Sequence, residues 1–405
     1  MTKKIVVVGA GQAGFSVCEN LRKLGFSGEL TLIGQESAPP YQRPPLSKGY
    51  LLGDMALERM YLRPLSFYKD QAIDLVLSNA VTEIDVAGQK VRLADGAAKA
   101  YDSLVLATGS SPIQLPAAIG GASQGVFYVR NLADVDELSR AVKPDANALI
   151  VGGGYIGLEA AAVAAKLKMK VTLVEAGERI LGRVASAETA AYFRDLHQGH
   201  GVQILEGVKL EALHTENRHV VGASLSDGRK LPVDLAIVGI GIRPNVALAE
   251  SAGLTLDNGI LVDEQCRTSD KNIFAAGDCA CFPLGDKLAR LESVGHAIDQ
   301  AATVARVLCG QEASYIAKPW FWSDQFDTKL QIVGLSSRYD QIVKRTSATG
   351  ALSIWYYKGP KLLAVDAMND PRAYMVAKRL IESGKSPQPS DVSNLELDLK
   401  QLLRS

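Results

Sequence analysis

Two ten-residue stretches determine the fold, IVVVGAGQAG at residues 5–14 and ALIVGGGYIG at residues 148–157. Each is an apolar, largely β-branched run that leads into Gly-x-Gly-x-x-Gly and then into an Ala- and Leu-rich segment. The two segments predict helices that end near Leu24 and Lys168, and a further apolar strand follows each helix. The repeated pattern predicts two βαβ units, each of which begins a parallel sheet.

The three glycines of each stretch have separate physical roles. The first allows a tight turn from strand to helix, the second lets the backbone approach a pyrophosphate, and the third lets the helix pack close to the strand. The N-terminus of the helix adds unpaired N–H groups and a partial positive charge. Because each motif has a strand before it and a helix, a second strand and an acidic residue after it, we expect two dinucleotide sites.

The acidic residue distinguishes the two sites. Glu175 follows the second strand of the later copy, where a carboxylate accepts hydrogen bonds from a ribose 2′-hydroxyl and repels a 2′-phosphate. This position favours NADH over NADPH, although Arg179 and Arg183 follow soon after and could bind the phosphate. In the earlier copy the second strand is followed by Gln35 and Glu36, and either can hold the ribose.

Length and charge exclude several classes of protein. A chain of 405 residues is long enough for two or three domains. Its 44 Lys and Arg residues equal its 44 Asp and Glu residues, so it lacks the basic excess of a general nucleic-acid-binding protein. No stretch resembles a signal peptide or approaches the roughly 18 apolar residues of a membrane span. We therefore expect a cytoplasmic protein with neither nucleic acid nor membrane as a partner.

The cysteines and histidines carry no signature of a reactive or metal site. None of the five cysteines forms a Cys-x-x-Cys pair, which argues against a zinc site and against a redox-active dithiol. We expect them to be small buried side chains in a reducing compartment. The five histidines lack metal-ligand spacing, so packing or surface roles are expected. The residues concerned are Cys18, Cys266, Cys279, Cys281, Cys309, His197, His200, His214, His219 and His296.

The remaining segments complete the predicted architecture. The loop 36–54 is rich in Pro and Gly and is expected to be irregular, and a helix is expected at 372–383. The predicted fold class is α/β, with two Rossmann-like dinucleotide-binding domains plus a C-terminal α+β domain. Further strands are predicted at 29–33, 81–86, 90–93, 103–107, 126–129 and 170–174, between 202 and 234, and at 330–333, 352–357 and 362–365.

Three further motifs resemble those of the two-dinucleotide-binding flavoprotein superfamily, whose fold is glutathione-reductase-like. They are ATGSSP at residues 107–112, GIGIRPN at 239–245 and IFAAGDC at 273–279. The resemblance implies that the chain leaves the FAD-binding part after the first motif and returns to it after the second. The implied domains are residues 1–114 and 244–318 for FAD, 115–243 for NADH, and 319–405 for the C-terminal domain.

Two other segments are similar to the group that contains putidaredoxin reductase and biphenyl dioxygenase ferredoxin reductase. They are RPPLSK at residues 43–48 and PWFWSDQ at 319–325. Disulfide reductases of the superfamily carry their redox-active cysteine pair near the first segment, where this chain has Pro44, Pro45, Leu46 and Ser47 instead. The resemblance therefore implies an electron carrier outside the chain rather than a dithiol within it.

The resemblance also implies which residues meet each cofactor. Asp278 is expected on the ribityl chain of FAD, Lys48 near the flavin and paired with Glu159, and either Trp320 or Trp322 over the ring. The residues expected to bind FAD are Gly9, Gly11, Ala13, Gly14, Gln35, Glu36, Arg43, Lys48, Val81, Ala107, Thr108, Gly109, Arg130, Gly277, Asp278, Val294 and Trp320. Those expected to bind NADH are Gly152, Gly154, Tyr155, Ile156, Gly157, Glu159, Glu175, Gly241 and Glu292.

The implied activity is electron transfer from NADH through FAD to a [2Fe–2S] ferredoxin. That ferredoxin would serve an oxygenase, either a cytochrome P450 or a ring-hydroxylating dioxygenase. No residue is expected to act as an obligatory general acid or base, and a monomer or weak dimer is expected. The alternatives are a rubredoxin reductase, an NADH oxidase and, outside enzymes, a flavin-bearing redox signalling protein. Candidates for a basic rim that steers an acidic ferredoxin are Arg63, Arg290, Lys318, Lys329 and Arg338.

Overall fold

The computed structural model describes residues 3–347 and 350–404, and their contacts group the chain into two compact units. The first unit comprises Met1–Gln42, Ala56–Ser111 and Ile242–Pro319. The second unit comprises Arg43–Met55, Pro112–Gly241 and Trp320–Ser405. No helix in the described part of the chain is both long enough and apolar enough to cross a membrane.

The strands are numbered in chain order. They are β1 (Lys4–Val8), β2 (Glu29–Ile33), β3 (Ile73–Val76), β4 (Val81–Asp85), β5 (Lys90–Leu93), β6 (Ala98–Ala100), β7 (Ser103–Leu106), β8 (Ser110–Pro112), β9 (Val126–Phe127), β10 (Asn147–Val151), β11 (Lys170–Glu175), β12 (Gln203–Glu206), β13 (Leu210–Glu216), β14 (His219–Leu225), β15 (Lys230–Pro232), β16 (Leu235–Val238), β17 (Ile242–Pro244), β18 (Ile260–Leu261), β19 (Ile273–Ala275), β20 (Ala280–Leu284), β21 (Lys287–Ala289), β22 (Trp320–Gln325), β23 (Thr328–Gly334), β24 (Gln341–Thr346), β25 (Leu352–Lys358) and β26 (Lys361–Met368).

The helices are numbered in the same way. They are α1 (Gln12–Lys23), α2 (Leu57–Met60), α3 (Leu65–Asp70), α4 (Leu132–Ala141), α5 (Tyr155–Lys166), α6 (Ala187–Gly199), α7 (Ala247–Ser251), α8 (Val294–Leu308), α9 (Pro371–Glu382) and α10 (Pro389–Ser393). Short 3₁₀ helices occur at Pro44–Ser47, Ala117–Ile119 and Leu399–Leu403.

The first unit is built on a five-stranded parallel sheet in the order β19-β7-β1-β2-β3. Four of the five residues of β1 are buried, as expected for a strand of a parallel sheet that is covered on both faces. Helices α1 and α8 pack against each other. Because parallel strands end at one edge, the segments that follow β1, β7 and β19 meet there.

The second unit repeats this plan with the parallel sheet β12-β11-β10-β16-β9. Its C-terminal part is a five-stranded antiparallel sheet in the order β22-β23-β26-β25-β24. Helix α9 packs on this sheet and closes a core that includes Trp355, Tyr357 and Leu380. The predicted α/β fold class with a C-terminal α+β domain is confirmed.

Most elements that the sequence predicts lie within two residues of their expected ends. The predicted strand at 126–129 is shorter, because β9 ends at Phe127. The loop 36–54 was expected to be irregular throughout, yet it contains the 3₁₀ helix Pro44–Ser47. Two prolines can begin this turn because its first N–H groups have no helical partner in any case. Helix α8, fifteen residues long, has no counterpart among the predictions.

Candidate active site

The first glycine motif forms a tight turn with an open face. Gly9 has φ +110°, and a Cβ there would lie 2.1 Å from the carbonyl oxygen of Ala107. A Cβ on Gly14 would lie 1.9 Å from the carbonyl oxygen of Gly9, so this glycine allows α1 to pack against β1. A Cβ on Gly11 would meet no atom within 4 Å. The only open direction is therefore at the middle glycine, where a pyrophosphate would approach.

Other predicted residues meet at the same edge of the sheet. Gly277 follows β19, and a Cβ there would lie 3.0 Å from the Cβ of Ala13. The neighbouring Asp278 accepts a hydrogen bond from the hydroxyl of Ser110 at 2.7 Å. The amide of Gln300 on α8 accepts a hydrogen bond from the N–H of Gly277 at 2.8 Å. The glycine motif and the carboxylate expected on the ribityl chain are thus brought together, and Ser110 and Gln300 support them.

Asn245 joins the segment in which it lies, residues 242–245, to the segment 108–111 of the first unit. Its N–H donates to the carbonyl of Gly109 at 2.9 Å and its Nδ2 to the carbonyl of Thr108 at 2.9 Å. In return Thr108 Oγ1 donates to the carbonyl of Asn245 at 2.7 Å, and Ser111 Oγ donates to its side-chain oxygen at 2.8 Å. Sequence reasoning assigned no role to Asn245, although it stands in the quoted motif at 239–245.

The acidic residue after the second strand stands at a different position in the two copies of the motif. Register with the first strand aligns Glu175 of the later copy with Gly34 of the earlier one. A Cβ on Gly34 would lie only 2.6 Å from the Cβ of Ala10, so no side chain fits there. The first carboxylate beyond this point is Glu36, which accepts a hydrogen bond from the hydroxyl of Tyr41 at 2.6 Å. Of the two ribose candidates left open by the sequence, this geometry favours Glu36.

The second glycine motif reproduces the first. Gly152 has φ +106°, and a Cβ there would lie 2.5 Å from the carbonyl oxygen of Gly239. A Cβ on Gly157 would lie 2.0 Å from the carbonyl oxygen of Gly152, whereas one on Gly154 would meet nothing within 4 Å. No side chain caps the N-terminus of α5. The motif therefore offers N–H groups and open space to an anion.

Glu175 stands at the end of β11, beside this turn. Its two carboxylate oxygens accept hydrogen bonds from the N–H groups of Gly153 and Gly177, each at 2.6 Å. Arg179, one of the two arginines that could have bound a 2′-phosphate, donates instead to the carbonyls of Ala185 and Ser186, at 2.8 and 3.2 Å. The carboxylate of Glu175 is thus held in place by two backbone N–H groups. The guanidinium of Arg179 is engaged by two backbone carbonyls.

The predicted ion pair between Lys48 and Glu159 is present in the second unit. Lys48 Nζ lies 2.8 Å from Glu159 Oε2, and both side chains are largely buried. Glu159 stands on α5, one turn after Tyr155, whose ring packs on that of Phe321 with centroids 4.8 Å apart. Burial raises the pKa of Tyr155 well above its ordinary value. Arg43, from the same loop as Lys48, donates to the carbonyl of Arg130 at 2.6 Å.

The candidate residues divide between the two units. Trp320 and Trp322 share one face of β22, with ring centroids 5.5 Å apart. Glu292 is paired with Arg290 at 2.6 Å. The first unit contains Gly9, Gly11, Ala13, Gly14, Gln35, Glu36, Val81, Ala107, Thr108, Gly109, Gly277, Asp278, Glu292 and Val294. The second contains Arg43, Lys48, Arg130, Gly152, Gly154, Tyr155, Ile156, Gly157, Glu159, Glu175, Gly241 and Trp320.

Four of the cysteines and two of the histidines, His197 and His296, are buried, whereas His200, His214 and His219 are exposed. All five cysteines are free thiols, and only Cys309 among them is not fully buried. Burial lowers the pKa of His197 and that of His296 to about 4, so both are neutral near pH 7. Within residues 3–347 and 350–404, no group of His, Cys, Asp and Glu could hold a metal ion.

The geometry of each unit fits a dinucleotide. In both units the middle glycine borders open space, the following helix has no side-chain cap, and its first turn lacks an acidic residue. The first unit also has buried nitrogen atoms without a hydrogen-bond partner, Nε2 of Gln300 and Nε2 of His296, on the helix behind Gly277. These features suit a negatively charged pyrophosphate with polar groups attached.

Comparisons with known proteins agree with this geometry. Residues 3–301 match the family model described as pyridine nucleotide-disulphide oxidoreductase, and residues 320–403 match a reductase C-terminal family. Rhodocoxin reductase of Rhodococcus erythropolis is 40% identical over 400 residues, covering 98% of this chain and 93% of that protein. Putidaredoxin reductase CamA of Pseudomonas putida is 41% identical over 406 residues, covering 98% and 96%.

A solved structure supports the same assignment. The covalent putidaredoxin reductase–putidaredoxin complex matches with a TM-score of 0.96 and 40% identity, covering 99% of this chain and 98% of that chain. The resemblance to the putidaredoxin reductase group and the prediction of a flavoprotein oxidoreductase of the ferredoxin reductase type are confirmed. Because the match extends over both dinucleotide motifs and the C-terminal sheet, the chain belongs to the pyridine nucleotide-disulphide oxidoreductase family.

Proposed function

We propose that the protein is an NADH-dependent ferredoxin reductase that serves an oxygenase, either a cytochrome P450 or a ring-hydroxylating dioxygenase. One NADH and two oxidised [2Fe–2S] ferredoxins would yield NAD⁺, a proton and two reduced ferredoxins. The observation that carries the proposal is the presence of two glycine turns, each open at its middle glycine, in a chain whose five cysteines include no Cys-x-x-Cys pair. Such a chain would bind two dinucleotides and would pass the electrons to a carrier other than a Cys-x-x-Cys dithiol.

FAD supplies a centre that accepts a hydride and releases electrons one at a time, which matches a two-electron donor to a one-electron acceptor. The residues of the first unit bind and orient it. Gly9, Gly11 and the N-terminus of α1 would hold the pyrophosphate, Glu36 the adenosine ribose, and Asp278 the ribityl chain. The hydrogen bonds of Ser110 and Gln300 to the Gly277–Asp278 turn fix the direction of that carboxylate.

The second unit would bind NADH and prefer it to NADPH. Glu175 would accept the ribose hydroxyl and repel a 2′-phosphate, while Arg179 is occupied by backbone carbonyls. At the other end of the nucleotide, Lys48 and Glu159 would orient the nicotinamide. The buried ion pair gives that region a fixed charge arrangement in place of mobile water.

Two glycine variants test the two sites separately. Neither Gly11 nor Gly154 has an atom within 4 Å of an added Cβ, so the fold accepts alanine and only a bound pyrophosphate would be displaced. Gly11→Ala should lower the FAD content of the purified protein. Gly154→Ala should keep FAD and raise the KM for NADH about tenfold. Gly199→Ala is the matched control, because its added Cβ also meets nothing. Normal FAD content in Gly11→Ala would refute the first site, and an unchanged KM in Gly154→Ala the second.

The acceptor is tested by NADH-driven reduction of cytochrome c with and without [2Fe–2S] ferredoxins. The proposal expects a rate that rises with ferredoxin concentration and saturates. Equal rates without ferredoxin, accompanied by rapid oxygen consumption, would indicate an NADH oxidase instead. Reduction supported by rubredoxin but not by any ferredoxin would indicate a rubredoxin reductase.

A further inference from the structure

Glu159 is the end of a buried chain of hydrogen bonds in the second unit. Its Oε2 accepts from Ser47 Oγ at 2.7 Å and pairs with Lys48 at 2.8 Å. Its other oxygen, Oε1, accepts from Ser323 Oγ at 2.7 Å. The carboxylate, whose residue is 5% exposed, is therefore held from two sides, by the loop that carries Lys48 and by strand β22.

The chain continues beyond Ser323. Gln325 Nε2 donates to Ser323 Oγ at 3.1 Å, and Gln325 Oε1 lies 2.8 Å from His197 Nε2. Because an amide oxygen only accepts, His197 Nε2 must carry the proton of a neutral imidazole. Each member donates toward Glu159, and Ser323, Gln325 and His197 are all fully buried. A chain of donors with one direction stabilises the negative charge at its end.

Strand geometry explains how β22 supplies this chain. Side chains alternate along a strand, so Phe321, Ser323 and Gln325 share one face and Trp320 and Trp322 the other. The first of these faces meets α5 and α6, where Phe321 packs on Tyr155, Ser323 reaches Glu159 and Gln325 reaches His197.

We infer that Ser323, Gln325 and His197 are positioning residues, which hold the Glu159 carboxylate against Lys48 and thereby set the geometry in which the nicotinamide of NADH is bound for hydride transfer. The inference rests on the proposed function. It assigns the C-terminal sheet a part in the reduction step, separate from the part expected of Trp320 and Trp322 on the other face of β22. Without Ser323, Oε1 of Glu159 would lose the hydrogen bond from the Ser323 hydroxyl, and the carboxylate could rotate away from Lys48.

The decisive variant is Ser323→Ala, and Ser353→Ala is its matched control. Ser353 is equally buried in the same antiparallel sheet, but its hydroxyl accepts from Trp355 Nε1 and takes no part in the chain. The FAD-loaded protein is mixed with NADH, and loss of flavin absorbance is followed over a range of NADH concentrations. We expect Ser323→Ala to slow flavin reduction at saturating NADH by about tenfold, because a hydrogen bond to a charged group is lost. Ser353→Ala should keep the rate of the parent protein.

A second measurement does not depend on activity. Acetylation of Lys48 by acetic anhydride is quantified by mass spectrometry of the NADH-free protein. The chain of hydrogen bonds keeps Lys48 against Glu159. Ser323→Ala should therefore increase the labelling of Lys48 severalfold, and Gln325→Met should increase it less. Gln325→Met also serves if Ser323→Ala fails to fold. Unchanged labelling in both variants would overturn the inference.

A double-variant comparison separates positioning from general damage. If Ser323 acts through Glu159, adding Ser323→Ala to Glu159→Gln should change the rate of flavin reduction less than about twofold. A full tenfold loss in that background would contradict the inference. If the parent protein itself fails to be reduced by NADH, the proposed function fails, and the labelling of Lys48 still decides whether the chain positions it.

Discussion

Glu175 Oε2 accepts a hydrogen bond of 2.6 Å from the N–H of Gly153, a residue of the glycine turn itself. A Cβ on Gly153 would lie 3.1 Å from this oxygen, so a glycine at this position leaves room for the acid. In the earlier copy the equivalent residue is Ala10, and Gly34 replaces the acid. The later copy thus combines Gly153 in the turn with Glu175 after the strand, whereas the earlier copy combines Ala10 with Gly34.

Glu175→Ala should narrow the preference for NADH over NADPH. The variant removes the acceptor for the ribose hydroxyl and the charge that repels a 2′-phosphate. We expect the ratio of kcat/KM values for the two nucleotides to fall by about tenfold or more, since a hydrogen bond to a charged group contributes about 1.5–3 kcal/mol. The exposed neighbour Glu178, changed to Ala, is the control. An unchanged ratio in Glu175→Ala would assign the preference elsewhere.

Asn245→Ala should weaken the first unit. The side chain exchanges hydrogen bonds with Thr108 and Ser111, and its loss leaves partly buried polar groups unpaired, at a cost of about 1–3 kcal/mol. Thermal unfolding should begin a few degrees lower, and FAD should be released more readily. Thr108→Val leaves these side-chain bonds in place, removes only the separate bond from the Thr108 hydroxyl to the main-chain carbonyl of Asn245, and should have a smaller effect. Parent-like unfolding and FAD retention in Asn245→Ala would contradict this role.

Asp366 should oppose folding at neutral pH. Burial raises the pKa of this carboxyl to about 6, although Thr189 and Tyr356 donate hydrogen bonds to it. The folded protein thus binds the proton more tightly than the unfolded chain, whose pKa is 3.8. Stability from this group is present below about pH 4 and is lost as the pH rises to about 6, by about 3 kcal/mol.

Asp366→Asn removes this titration and keeps an oxygen that accepts hydrogen bonds. Urea unfolding at several pH values between 4 and 7 would measure it. The free energy of unfolding of the parent protein, minus that of the variant, should decrease as the pH rises through this window. A difference that stays constant would show that Asp366 has an ordinary pKa.

His296 should act in the opposite direction. Burial lowers its pKa from 6.5 to about 4, so the unfolded chain binds the proton more tightly. The stability from this group is present above pH 6.5 and is lost, by about 3 kcal/mol, as the pH falls to about 4. His296→Asn can keep a hydrogen bond to the Tyr315 hydroxyl. Its unfolding should depend less on pH in acid than that of the parent, and an equal dependence would refute the assignment.

Thiol alkylation should leave reduction of the flavin by NADH intact. Burial raises the pKa of Cys18, Cys266 and Cys279, which disfavours the reactive thiolate. Cys309, the least buried, should be labelled first by iodoacetamide, as mass spectrometry of the native protein would show. Cys309→Ser should abolish this early labelling. Loss of hydride transfer on alkylation of the parent protein would indicate a catalytic thiol and contradict the proposed route of electrons.

The sequence predicted those features that depend on neighbours along the chain. The glycine turns and Glu175 follow from local spacing, because strand, turn and helix occur in one short segment. Asn245 and Ser323 were missed because their partners lie far along the chain, as with the separation of 164 positions between Ser323 and Glu159. Gln300 was missed because helix α8, on which it lies, was not predicted. The sequence offered a signal only for Asn245 and Ser323, which stand within motifs quoted for other reasons.

The alternation of β22 has a consequence for protein engineering. One six-residue strand carries two tryptophans on one face and the hydroxyl and amide that reach α5 and α6 on the other. An insertion or deletion of one residue would exchange the two faces completely. Chimeras that transplant a C-terminal sheet between reductases should therefore be joined before Trp320 or after Gln325, with the length of the strand preserved.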